Sequence, residues 1–235
     1  MTGLVAIHQP NFFPWLGYFD KIRRADVFVF LDEVDYPRAG SGGMGSWVNR
    51  VQIDMHGKPG FATCPVRRVP LGTPIRMIEI DDSQPWRRKL LKTLQSSYAR
   101  CVRHRAALDL LEPMILRPET NLAAYNIANI KDLAAALGLE TRFLRQSALD
   151  VASASTELLI DIVKAAGGSG YLAGGGAASY QDDHLFEKAG ITLVMQHFEP
   201  TPYIDPKRFS PGLSVIDYLM HDGGPFCSVA KTIDA

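Results

Sequence analysis

Short apolar runs alternate with amphipathic stretches along most of the chain. Residues 4–7 and 27–31 are almost wholly apolar, and a short helical pattern lies between them. Continuous apolar runs of this length are typical of strands that are buried on both faces. A strand, a turn, a helix and a second strand in so few residues predict a βαβ unit at the start of the chain.

The same rhythm returns in the C-terminal half of the chain. Apolar runs predict three further strands, at 141–145, 170–173 and 191–195. Helical patterns predict three helices, at 155–166, 182–189 and 213–220. Gly167 and Gly190 directly follow two of these helices, and glycine is the usual residue after a helix C-terminus. The pattern therefore predicts an α/β fold.

The middle of the chain follows other periods. Residues 47–53 and 61–66 alternate like paired strands around a turn at 56–60, and residues 76–80 are another strand candidate. Three amphipathic segments then predict helices, at 84–99, 103–116 and 121–137. We expect one α/β domain over 1–235, with a helical subdomain inserted at 84–138.

Composition narrows the class of protein. The 235 residues suffice for one good core, and a hydrophobic content of 46% with 21% charged residues is that of a globular chain. Basic and acidic residues number 25 each, so binding of nucleic acid by bulk charge is not expected. No apolar run is long enough to span a bilayer, and no signal peptide is visible. The three cysteines are far apart in the sequence, which is typical of reduced thiols. We therefore expect a cytoplasmic protein.

The turn after the first strand carries the most informative side chains. His8, Gln9 and Asn11 follow the apolar run, while Pro10 and Pro14 stiffen the segment. Open α/β sheets bind their ligands at the carboxyl ends of the strands, where this turn should lie. The turn is therefore predicted to bind a small molecule, with Gln9 and Asn11 among the binding residues.

Three residues are candidates for catalysis. His8 titrates near neutral pH and could act as a general base or bind phosphate; a buried histidine bonded to the backbone is the alternative. Asp32 ends the second strand and could hold a metal, a ribose hydroxyl or an amine, or could simply cap the strand. Tyr180 could orient a substrate through its hydroxyl group, or its ring could belong to the core.

Two further segments supply candidate binding residues. Asn49 and Arg50 follow a glycine-rich loop at 36–46, which we expect to act as a lid, and guanidinium suits phosphate or carboxylate. A surface salt bridge is the alternative role for the arginine. Gly174 and Gly175 begin a glycine turn that could cradle a phosphate at a helix N-terminus, although tight strand-to-helix packing would need the same glycines.

The motifs resemble the WbqC-like family of bacterial proteins over nearly the whole chain. The resemblance rests on residues 8–10, 17–22, 25–29, Asp32, 47–53, Trp86, 121–126, 171–174, Tyr180, Asp182 and Phe186. Genes of this family often lie in clusters for O-antigen and other surface polysaccharides. The resemblance therefore implies a role in the biosynthesis of such glycans.

A weaker resemblance links the first βαβ unit to nucleotidyltransferases with the HIGH motif. The order of strand, proline-rich turn, Gly-aromatic pair, helix, Ala-Asp and second strand is shared. Trp15 and Tyr18 stand where those enzymes have two histidines that stabilise the transition state at phosphorus. This resemblance implies a mostly parallel, Rossmann-like (HUP-like) sheet and a nucleotide cradle, with Gly17 and Tyr18 among the binding residues.

Three functions remain open at this stage. The first is a group transferase that acylates or aminoacylates an amino sugar or a similar small molecule, for example one linked to a nucleotide or an acyl carrier. The second is a nucleotidyltransferase-like enzyme, and the third is a non-catalytic binding or scaffold protein. The histidines and cysteines show no metal-binding spacing, no motif requires a cofactor, and the oligomeric state is not indicated.

Overall fold

Seven strands and seven α-helices are present in the part of the chain that the structure describes. In this computed structural model of the chain, residues 3–37, 46–174, 182–224 and 226 are described. The strands are β1 (Leu4–His8), β2 (Val27–Phe30), β3 (Arg50–Asp54), β4 (Pro59–Thr63), β5 (Arg142–Arg145), β6 (Gly170–Ala173) and β7 (Thr192–Met195). The helices are α1 (Leu16–Arg24), α2 (Trp86–Ser97), α3 (His104–Ile115), α4 (Leu122–Ala136), α5 (Ser155–Ala165), α6 (Asp183–Lys188) and α7 (Val215–His221).

The main sheet is parallel and confirms the predicted Rossmann-like α/β class. Its five strands lie in the order β5-β2-β1-β6-β7, and each neighbouring pair is parallel. The chain builds outward from β1 through β2 to β5, then returns to the other side of β1 for β6 and β7. The strand order therefore reverses between β1 and β6, and such a reversal opens a crevice at the carboxyl ends of the strands.

The sheet is buried on both faces, as its continuous apolar strands require. Val5 and Ile7 of β1 point into one core, which contains residues of α5 and α6. Ala6 points into the opposite core, which joins the sheet to α1 and also contains residues of α2, α3, α4 and α7. The three helices of the middle segment thus share a core with one face of the sheet.

One expected strand is wrong. Residues 76–80 form no strand of either sheet; the chain makes a 3-10 helix at Ile75–Met77 and then only isolated bridges from Glu79 and Ile80. The physical reason is the spacing of Ile75 and Ile78, which are both fully buried and three residues apart. That spacing suits a 3-10 turn, whose side chains at positions i and i+3 eclipse one another. The antiparallel pair β3–β4 forms as predicted.

The turn between β1 and α1 is held by side chains from distant parts of the chain. Asn126 of α4 donates from Nδ2 to the carbonyl oxygen of Pro10 at 2.8 Å and to that of Val48 at 2.7 Å. Ser214, at the N-cap of α7, donates from Oγ to the carbonyl oxygen of Phe13 at 2.6 Å. Because buried carbonyl groups need partners, these two side chains fix the path of the turn.

Backbone hydrogen bonds tie the same turn to two other segments. The amide of Phe12 donates to the carbonyl of Trp47 at 2.9 Å, and the amide of Val215 donates to the carbonyl of Pro14 at 2.8 Å. Phe13 adopts a positive φ of 40°, which costs a residue with a Cβ some backbone strain. The contacts on either side of Phe13 hold the chain in that conformation.

Replacing Asn126 by leucine should destabilise the whole fold. The change leaves two buried carbonyl groups without their donor, so we expect the free energy of unfolding to fall by about 2–4 kcal/mol. Urea unfolding followed by circular dichroism measures this difference. As a control, Thr93→Ala removes an exposed hydroxyl that bonds only to its own helix, and should change stability by less than about 0.5 kcal/mol. Equal stability of both variants would show that Asn126 does not hold the turn.

Candidate functional site

A cavity of about 430 Å³ opens beside the turn between β1 and α1. The turn forms one wall, and β3 and the segment before α7 form the others. Its described lining residues are His8, Asn11, Phe12, Pro14, Trp15, Trp47, Val51, Gln52 and Gly212. The size is within the range of small-molecule sites, and the location is the carboxyl end of the central strand.

The described residues that line this cavity are uncharged, and several are aromatic. None of its nine described residues is a lysine, arginine, aspartate or glutamate. The polar groups are the imidazole of His8 and the side-chain amides of Asn11 and Gln52. The indoles of Trp15 and Trp47 and the ring of Phe12 supply flat apolar surface. Such a lining suits an uncharged ring that carries hydrogen-bonding groups.

His8 presents a neutral imidazole to the cavity. Its Nδ1 lies 3.1 Å from the carbonyl oxygen of Gln9, which can only accept, so we assign the proton to Nδ1. Burial and the nearby charge of Lys21 lower the pKa of His8 to about 3, against an ordinary value of 6.5. The Nε2 atom therefore carries a lone pair at neutral pH and can accept a hydrogen bond from a ligand.

Asn11 is the second polar group of the wall. Its side chain is 7% exposed, and within the described residues its amide makes no hydrogen bond. The backbone of Asn11 is held by a hydrogen bond to the hydroxyl of Tyr18, which in turn donates to the carbonyl of Gln9 at 2.9 Å. Asn11 therefore has a fixed backbone, and no described residue occupies the hydrogen-bonding groups of its side-chain amide.

Gly17 and Tyr18, both predicted to bind ligand, act through their neighbours. A Cβ atom on Gly17 would lie 2.3 Å from the indole of Trp15, so the absence of a side chain lets that ring lie flat against α1. Tyr18 is buried, contacts the ring of His8 at 4.7 Å between centroids and has a pKa raised by burial. Neither residue lines the cavity; Gly17 seats Trp15, and Tyr18 packs on His8.

Three other predicted site residues contact the protein itself. Asp32 accepts hydrogen bonds from the amide of Ser147 at 2.9 Å and from its hydroxyl at 2.8 Å. Asn49 donates from Nδ2 to the carbonyl of Cys64 at 3.0 Å. The guanidinium of Arg50 lies 4.1 Å over the ring of Phe61. The structure brings none of the three into the cavity lining.

The other predicted site residues lie outside the cavity lining or outside the described residues. Gln9 contributes its carbonyl oxygen to His8 and Tyr18, but its side chain is not among the lining residues. Gly174 lies at the carboxyl end of β6, on the other side of the strand-order reversal. Gly175, Tyr180 and most of the expected lid, residues 38–45, lie outside the described residues.

Sequence reasoning did not identify Trp47, Gln52 or Gly212 as parts of a site. Gln52 had a usable signal, because it alternates with Val51 and Ile53 and must face away from the core. Only the folded chain shows that the exposed side of Gln52 forms part of the cavity wall.

In the part of the chain that the structure describes, no three histidine, cysteine or acidic side chains are grouped to hold a metal ion. The helices described there are too short or too polar to cross a membrane.

Comparisons with known proteins identify relatives but no activity. The family model of the WbqC-like protein family matches residues 9–225. The chain is 29% identical over 225 residues to "Uncharacterized protein Rv1507c" of Mycobacterium tuberculosis (strain ATCC 25618 / H37Rv), covering 93% of this chain and 94% of that protein. No solved structure matches the chain.

The protonation state of His8 is directly measurable. We expect its ring resonances in NMR to remain those of the Nδ1-protonated neutral form from pH 8 down to pH 4. Because the folded-state pKa lies below the unfolded value, this group favours folding above pH 6.5, and that contribution is lost as the pH falls toward 3. Titration of His8 near its ordinary value of 6.5 would contradict the assignment.

Proposed function

This chain belongs to the WbqC-like protein family, and we propose that it is a group transferase that holds an uncharged ring of its substrate in the cavity beside His8. The observation that carries the proposal is the lining of that cavity. Amide and imidazole groups alternate there with indole and phenyl faces, and no charged side chain is among the described lining residues. The side-chain amide of Asn11 makes no hydrogen bond within the described residues, and a polar group that is buried without a partner costs free energy.

A sugar ring fits this combination of groups. The C–H face of a pyranose packs on indoles such as those of Trp15 and Trp47. Its hydroxyl or amino groups can exchange hydrogen bonds with the amides of Asn11 and Gln52, which offer both donors and acceptors. Together with the family's association with surface-glycan genes, this favours an amino sugar as the acceptor, in the cytoplasmic stage of polysaccharide biosynthesis.

His8 is positioned to act on the attacking amine. In the proposed reaction the amine nitrogen bonds to the acyl or aminoacyl carbon of a donor, and the bond from that carbon to its leaving group breaks. The amine must lose a proton, which Nε2 of His8 can accept. In the unliganded protein this imidazole is a weak base, with a pKa of about 3, so the reaction needs a substrate that raises it.

The contacts of Arg50 and Asp32 argue against the roles first considered for them. Arg50 lies over Phe61 and is not among the lining residues, so the proposal gives it no phosphate to hold. Asp32 accepts from Ser147 with both carboxylate oxygens, which supports its alternative role as a cap at the end of β2. The reaction is therefore assigned to the first turn.

A nucleotide-dependent reaction is the second candidate. It is favoured by the strand order, which is that of the mononucleotide-binding unit in Rossmann-like folds. The residues at the two histidine positions of the nucleotidyltransferases are Trp15 and Tyr18, and neither carries positive charge. Calorimetric titration with ATP, CTP, GTP and UTP in magnesium buffer distinguishes this candidate, because the transferase acting on a sugar need not bind any of the four.

A thermal-shift screen of amino sugars, sugar phosphates and nucleotide sugars tests the proposal. A ligand that binds only the folded chain raises its melting temperature. For the best ligand we expect Asn11→Leu and Trp47→Ala each to weaken binding about tenfold, since each loses a hydrogen bond or a stacking face.

Leu71→Ala is the control, because that side chain is 82% exposed and lies outside the cavity lining. It should bind the ligand as the wild type does. Stabilisation by a sugar that survives both cavity substitutions would show that the ligand binds elsewhere. A screen in which no sugar derivative stabilises the wild type would remove the support for an enzyme of this class.

A further inference from the structure

The parallel ladder between β1 and β6 stops before the two strands end. Its last paired residues are Ala6 and Leu172, although β1 continues to His8 and β6 to Ala173. The ladder begins with the amide of Gly170 donating to the carbonyl of Gly3 at 3.2 Å. Beyond Ala6 the two strands separate, which is the split expected where the strand order reverses.

A lysine takes the place of the next ladder bond. The carbonyls of Leu4 and His8 accept from Asp26 and Leu31, on the side of β2. Since carbonyls alternate sides along a strand, the carbonyl of Ile7 points to the side of β6. It accepts no strand amide there; instead, Nζ of Lys21 donates to it at 3.0 Å.

The amide that would have made that bond belongs to Gly174. Continuing the ladder by two residues from Leu172 gives Gly174 as the donor to Ile7, and within the described residues the Gly174 amide makes no hydrogen bond. A Cβ atom placed on Gly174 would lie 3.7 Å from Nζ of Lys21 and 3.9 Å from Oε1 of Gln196. Gly174 and the ammonium of Lys21 therefore lie close together at the carboxyl end of β6.

No counter-charge for the ammonium of Lys21 lies among the described residues. Lys21 is only 4% exposed, and one of its three N–H groups donates to the carbonyl of Ile7. No carboxylate of the described residues lies within 4.0 Å of the ammonium. The adjacent Asp20 accepts instead from Arg23 and Gln196. The stretch 175–181 that follows Gly174 contains no acidic residue. Burial lowers the pKa of Lys21 to about 8, so it remains mostly charged at neutral pH. A buried cation without an opposite charge nearby costs free energy.

We propose that the split between β1 and β6 binds an oxyanion, held by Nζ of Lys21 and the amide of Gly174. This inference rests on the proposed function and deepens it: the oxyanion belongs to the same ligand whose uncharged ring lies in the cavity. His8 directly follows Ile7 on β1, so the two subsites are adjacent. The substrate is accordingly a ring with an anionic substituent, as in a sugar phosphate or a sugar carboxylate.

Binding of the anion would also prepare His8 for catalysis. The positive charge of Lys21 is one of the two causes of the low pKa of His8. An anion at Nζ offsets that charge, so the pKa of His8 rises towards its ordinary value when substrate is bound. Lys21 is then a positioning and charge-setting residue, while His8 accepts the proton.

The test uses inorganic pyrophosphate, phosphate and acetate, each compared with sodium chloride at equal ionic strength. If the oxyanion of the substrate is a phosphate, we expect pyrophosphate or phosphate to raise the melting temperature of the wild type by about 2–4 °C at saturation. If it is a carboxylate, we expect acetate to produce this rise. Lys21→Met should abolish the shift. The matched variant Lys164→Met, which removes an exposed lysine of α5, should keep it.

A second readout needs only the wild type and therefore does not depend on how Lys21→Met folds. Saturation with the stabilising anion should raise the pKa of His8, followed by NMR, by at least one unit from about 3. An unchanged pKa, or equal stabilisation of Lys21→Met, would overturn the inference. Asn11→Leu should leave anion binding intact. If a sugar binds through Asn11 while none of the anions raises the melting temperature, the oxyanion subsite is refuted and the proposed function is retained.

Discussion

The fold depends on one requirement: the turn between β1 and α1 is buried without being a helix or a strand, so its carbonyl groups need partners from elsewhere. Asn126 serves Pro10, Ser214 serves Phe13, and the amide of Val215 serves Pro14. These partners come from the helical middle segment and from the C-terminal helix. The same contacts that satisfy the turn therefore bring three distant parts of the chain together, and they fix the turn that forms one wall of the cavity.

The electrostatics of the site follow from the strand-order reversal. Because β1 and β6 part after Ala6, the carbonyl of Ile7 needs a donor, and Lys21 supplies it from α1. The buried ammonium then lies near the partly buried imidazole of His8, and desolvation together with this charge lowers the pKa of His8 and keeps the ring neutral. Among the described residues the cavity has no charged lining side chain and Lys21 has no carboxylate within 4.0 Å, and this combination favours a substrate that is neutral at one end and anionic at the other.

The sequence was most informative where one local rule decides the structure. The apolar runs gave β6 at its observed bounds, and the polar turn gave His8 and Asn11 as lining residues. Residues 76–80 misled because Ile78 and Ile80 alternate like a strand while Ile75 and Ile78 pack as a 3-10 turn. The side chains of Asp32 and Asn49 form hydrogen bonds with groups of the protein itself. The positions of Gln52 and Lys21 beside the site depend on tertiary contacts. A single chain does not distinguish these uses of a polar side chain.

Hydrogen exchange at the amide of Phe12 tests the central claim most directly, because this amide lies in the turn and donates to Trp47 across the cavity wall. If the turn is fixed by its distant partners, the Phe12 amide opens only when the whole fold opens, and its protection equals that of strand amides such as that of Val29. Exchange of the Phe12 amide at the rate of an exposed loop, with Val29 still protected, would contradict the account.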